Sequence, residues 1–123
     1  MNRKFAVAAL AAAAALTIAL VPSAGAGGKA STKVTIKGPG EVFGFVKSNK
    51  PVKCAKNRKV VVFRVRPGKD KRIASDTASK NGNRYQWSIG NPGLSPGRYY
   101  AKAPATPNCK GAKSKILRVE RPL

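Results

Sequence analysis

The chain reads as an all-β protein: a single seven-stranded Greek-key β-sandwich behind an N-terminal export signal. Three observations predict this. Short β-rich runs recur with turn residues between them, no stretch after residue 26 keeps a helical period, and two cysteines lie far apart within one domain's length of chain.

The N-terminus comes first. Arg3 and Lys4 precede an apolar, Ala-rich run from Phe5 to Val21, which ends at Pro22 and the small residues Ser23-Ala24-Gly25-Ala26. That order matches the basic, apolar and cleavage regions of a bacterial-type signal peptide, residues 1–26, with cleavage after Ala26. The run is too short and too Ala-rich for a stable membrane span, so the processed chain is expected to be secreted without a transmembrane segment. Residues 27–32 are small and polar and are expected to form a flexible leader, followed by the sandwich domain at 33–123.

Seven runs are expected as strands: Val34–Lys37, Glu41–Lys47, Lys59–Arg66, Arg72–Ser79, Arg84–Ile89, Arg98–Ala103 and Lys115–Glu120. Gly38-Pro39-Gly40, Pro67-Gly68-Lys69-Asp70, Asn81-Gly82-Asn83 and Asn91-Pro92-Gly93 supply the reversals. Alternation then predicts the core faces. Val61, Phe63 and Val65 are expected inward and Val60, Val62, Arg64 and Arg66 outward; Tyr85, Trp87 and Ile89 oppose Arg84, Gln86 and Ser88. Leu117 and Val119 alternate with Ile116, Arg118 and Glu120. Phe43-Gly44-Phe45-Val46 is partly similar to the RNA-binding strand of RRM and cold-shock domains. However, Glu41 and Val42 stand where a basic residue and Gly would precede it, and Ser48 replaces the last aromatic. The expectation is therefore that Phe43 and Phe45 pack inward, with Gly44 easing a bend or a close contact.

Cys54 and Cys109 form an even pair, which an oxidising compartment would close into a disulfide. With no His in the chain, two lone cysteines cannot complete a metal site, and neither has a base to activate it as a nucleophile. No metal and no cofactor are expected. Glycine-rich phosphate loops and nucleophile elbows are missing too, so the chain is read as non-enzymatic.

Charge is the strongest functional signal: 25 Lys and Arg against four acids give a net charge of +21. Processing would remove only Arg3 and Lys4 from that total. Lys47, Lys50, Lys53, Lys56, Arg58 and Lys59 crowd the segment before the third run, and Lys110, Lys113 and Lys115 follow Cys109. A Cys54–Cys109 bridge would bring the two clusters to one end of the domain as a cationic patch. The favoured partner is an anionic cell-envelope polymer, reached by sequence-independent Coulombic attraction. A protein partner is the alternative, and non-specific extracellular DNA binding is the third reading.

Gly93-Leu94-Ser95-Pro96-Gly97-Arg98-Tyr99-Tyr100 has the order Leu-x-Pro-Gly-x-Tyr, which resembles a tyrosine corner at the entry to a sandwich strand. Phe43-Gly44-Phe45-Val46, Arg58 to Phe63, Thr77 with Gly82, Tyr85 to Trp87, and Pro96-Gly97-Arg98-Tyr99 follow in sequence. Together they resemble the transthyretin-like, or carboxypeptidase-regulatory-like, family of secreted β-sandwich domains over roughly Val42 to Val119. The resemblance implies an Ig-like or transthyretin-like topology and an accessory or adhesive role.

Overall fold

The computed structural model describes residues 29–120, so the signal-peptide reading lies outside the described residues. In chain order the elements are β1 (Lys33–Val34), β2 (Phe43–Lys47), α1 (Pro51–Cys54), β3 (Lys59–Arg64), β4 (Lys71–Thr77), β5 (Ser79–Asn81), β6 (Arg84–Ser88), β7 (Gly97–Ala103), β8 (Ala112–Lys113) and β9 (Leu117–Val119). They form two antiparallel sheets in a sandwich-like arrangement. One runs β9-β7-β3-β4, with β8 also paired to β7; the other runs β1-β2-β6-β5. The chain is all-β, as expected.

Several expected strands differ in detail: Val34–Lys37 contracts to Lys33–Val34, Glu41–Lys47 to Phe43–Lys47 and Lys59–Arg66 to Lys59–Arg64. The run Arg72–Ser79 is two strands rather than one, because Ala78 is fully buried and acts as the crossover from one sheet to the other. Its N–H donates to Arg58 O at 2.8 Å and its carbonyl accepts from Asn57 N at 2.8 Å. Both backbone groups are thus satisfied at the corner, which lets β4 continue directly into β5. The run expected at Lys115–Glu120 shortens to Leu117–Val119, and Ala112–Lys113 is an additional short strand.

The core is one cluster drawn from both sheets: Val34, Val46 and Trp87 from one, Val60, Val62, Ala101 and Ala103 from the other. Trp87 and the small residues Ala101 and Ala103 are fully buried in that cluster. Trp87 faces inward as expected, but two other phases are reversed. On β3 the core residues are Val60 and Val62, while Val61 and Phe63 stand on the outer face. There Phe63 stacks on Tyr100 with centroids 5.5 Å apart.

On β2 the inward residues are Gly44 and Val46, so Phe43 and Phe45 face out, half-buried. The cause is Trp87. Gly44 lies opposite Trp87 across the β2–β6 ladder, and the indole N–H crosses that position to donate to Thr35 O at 3.2 Å. A Cβ on Gly44 would stand 1.8 Å from that same oxygen. Only glycine leaves the space, and the strand's period of two then places both neighbouring phenylalanines outside.

The described residues before β1 make specific contacts. Ala30 N donates to Asn108 O at 2.9 Å, Lys110 N donates to Ala30 O at 2.8 Å, and Ser31 N donates to Asn49 Oδ1 at 3.1 Å. Ala30 thus pairs with the segment around Cys109, and Ser31 with Asn49.

Candidate cationic site at the disulfide end

Cys54 and Cys109 are bonded, with Cα atoms 5.6 Å apart and both side chains buried. Cys54 closes α1, a single turn that Pro51 can open because the N–H it lacks would have no partner there. The chain then reverses through Asn57, whose φ of 57° lies in the left-handed region that Asn tolerates. Lys53, Lys56 and Lys59 are exposed around this reversal. With Asn57 and the segment 104–109 they line a cleft of about 500 Å³.

Arg58 underlies the cleft instead of presenting charge to it. It is 5% exposed and its guanidinium makes four hydrogen bonds. Nη1 donates to Cys54 O at 2.9 Å and Thr32 Oγ1 at 3.0 Å; Nη2 donates to Pro104 O at 2.9 Å and Lys110 O at 2.8 Å. Burial pulls its pKa down from the usual arginine value. The side chain is a brace joining four chain segments, so its expected place in the contact surface is corrected. A planar fork of donors can meet several carbonyls at once, which a lysine cannot do.

The other sequence-selected cations are exposed but diverge. Lys110 sits beside the disulfide. Lys50 precedes α1, its carbonyl accepting from Cys54 N at 2.8 Å. Lys47 lies across β1–β2 from Lys33, above a shallow groove shared with Ser31 and Asn49. Lys115 lines a separate groove beside β1. Lys113 lies 4.3 Å over the Tyr100 ring on the outer face of the other sheet. Pairing of β8 with β7 carries it there, so the bridge gathers Lys53, Lys56, Lys59 and Lys110 but not Lys113 or Lys115.

Strand register adds a feature that linear spacing could not reveal. Lys33 faces Lys47, Arg64 faces Lys71, Arg98 faces Arg118, and Lys102 faces Lys113. Like charges directly opposite each other repel. Asp70, which accepts from Tyr100 and Arg66 N, feels the charges of Lys113 and Arg98, while Asp76 accepts from Ser88 N and Glu41 from Ser88 Oγ.

Among the described residues there is no group of three or more His, Cys, Asp or Glu that could hold a metal, and no helix is long and apolar enough to cross a membrane. A scan against known protein families gives no match, and a search of curated proteins gives none either.

Proposed function

We propose that the chain is a secreted, non-catalytic binding module whose disulfide end holds an anionic cell-envelope polymer, on a Greek-key sandwich of transthyretin-like kind. The observation that carries this reading is the cleft at that end. Lys53, Lys56 and Lys59 converge there over a bridged, Arg58-braced floor, and no carboxylate lines it. Lysines act as mobile point charges, suited to a flexible polyanion more than to one rigid planar group. The like-charged pairs across the ladders support the same reading, because a bound polyanion would relieve repulsion that the fold otherwise carries. The Tyr99 hydroxyl donates to Ser95 O at 2.6 Å, the tyrosine-corner bond that the transthyretin-like reading calls for.

Retention of the oxidised domain on an anionic cell-wall polymer and on duplex DNA, each over a salt series, tests the proposal. The unmodified domain should be held at low salt, released steeply as salt rises, and prefer the wall polymer. A Lys53→Gln/Lys56→Gln/Lys59→Gln variant should lose the wall polymer, and its salt slope on DNA should fall by roughly 3 if each lysine meets one phosphate. Unchanged retention of that variant would refute the site. Equal affinity for both polymers would reduce the interaction to general charge attraction.

A further inference from the structure

We infer that the outer face of the β1-β2-β6-β5 sheet is a second binding surface, one that stacks the bases of a single-stranded nucleic acid. The observations are independent of the disulfide-end cleft. Phe43 and Phe45 face outward, with ring centroids 6.1 Å apart and planes at 89°, so their faces point in different directions. The Arg84 guanidinium carbon lies 4.7 Å over the centre of the Phe45 ring. That distance is within cation–π range, so the ring holds the guanidinium in place. Nucleobases stack on arginine planes as they do on aromatic rings.

The surroundings match the rest of a nucleotide chain. Where β2 ends and β6 begins, Phe45, Lys47, Pro51, Asn83, Arg84 and Tyr85 line a cleft of about 220 Å³. This is below the usual size of a drug-sized ligand site and suits one flat ring. Lys47 at its rim and Lys33 directly opposite across β1–β2 are exposed and repel each other. A phosphate between them would turn that repulsion into attraction. The cleft is mainly apolar, with Val46, Pro51 and Ala55 beside the rings, and its charged side chains are Lys47 and Arg84 with no carboxylate, which favours planar bases on a phosphate chain over a neutral glycan. Ring stacking also separates single strands from duplexes, whose bases are already stacked on each other.

The test compares three probes on the oxidised domain: a short oligothymidylate, a duplex of mixed sequence and inorganic polyphosphate. Arg84→Lys keeps the charge and removes the plane, while Phe45→Leu removes the ring that seats it. Thermal midpoints and near-ultraviolet dichroism check that both variants remain folded. Each substitution should weaken oligothymidylate binding about tenfold, or about 1.4 kcal/mol, and affect duplex and polyphosphate far less, because only the single strand has bases free to stack. The Lys53→Gln/Lys56→Gln/Lys59→Gln variant should lower affinity for all three probes similarly. Loss of all three probes alike in Arg84→Lys, or oligothymidylate affinity unchanged in both folded variants, would overturn the inference.

Discussion

Replacing Gly44 with alanine should be the most damaging conservative change in the described fold, although it adds a single carbon. The new Cβ would lie 1.8 Å from Thr35 O, 2.6 Å from Thr35 C and 2.9 Å from the Trp87 indole nitrogen. Two of those atoms are backbone and the third belongs to a fully buried ring, so no flexible side-chain end can give way. Relief requires moving β1 off β2, which strains Thr35 N→Phe45 O at 3.0 Å and Phe45 N→Thr35 Oγ1 at 2.9 Å. The indole N–H would also lose its acceptor in the core. Overpacking costs about 1–3 kcal/mol and an orphaned buried donor about 1–3 kcal/mol, so the expected loss is ~3 kcal/mol or more. For a domain of this size that corresponds to a fall in Tm of at least about 12 °C. Thermal melts followed by Trp87 fluorescence would measure it, because Trp87 is the only tryptophan in the chain. A Gly44→Ala variant within about 1 kcal/mol of the parent would refute the close-packing account of β2 and its outward phenylalanines.

Arg58→Ala should cost ~3 kcal/mol or more in urea unfolding, since it leaves three backbone carbonyls without their donor; Arg58→Lys should recover little, while Lys56→Gln should stay within about 0.5 kcal/mol. Comparable effects at Arg58 and Lys56 would contradict the brace. Reducing the Cys54–Cys109 bond, which spans a sequence separation of 55, should cost about 4 kcal/mol by chain entropy, and melts with and without reductant would show it. A reduced protein as stable as the oxidised one would count against that value. The Tyr100 hydroxyl donates to Asp70 Oδ2 at 2.5 Å, and chiefly this bond pushes the phenol up to about 12 from 10.0 and holds the carboxyl below its usual 3.8. The phenol's contribution is therefore complete below pH 10 and lost as pH rises toward 12, while the carboxylate's is complete above pH 3.8 and lost as pH falls through its lower folded value. Tyr100→Phe should flatten both limbs of a stability-versus-pH curve, and an unchanged alkaline limb would rule the pair out as its source.

Several features were legible along the chain because they depend on neighbours in sequence. Alternating β-rich runs between Gly- and Pro-containing turns identify most of the strands. Two cysteines in a His-free chain leave one bridge to form. The inward position of Trp87 follows from the polar residues on either side of it. Other decisions belong to contacts between distant segments. Val60 to Phe63 are all apolar, so alternation carries no phase there, and pairing of Val62 with Ala101 decides which face is core. Phe43 and Phe45 outweigh Gly44 and Val46 in any count of hydrophobicity, yet the space Trp87 takes at Gly44 turns the phenylalanines outward. In sequence Arg58 is one more cation beside Lys56 and Lys59; in space, four acceptors from separate segments draw it inside while the lysines on either side stay in water. The facing like charges exist only once the strands pair. The chain by itself determined most of its strands, its bridge and its net charge, whereas the faces and the grouping of its cations needed the tertiary structure, because a side chain's environment is set by what the ladder places opposite it.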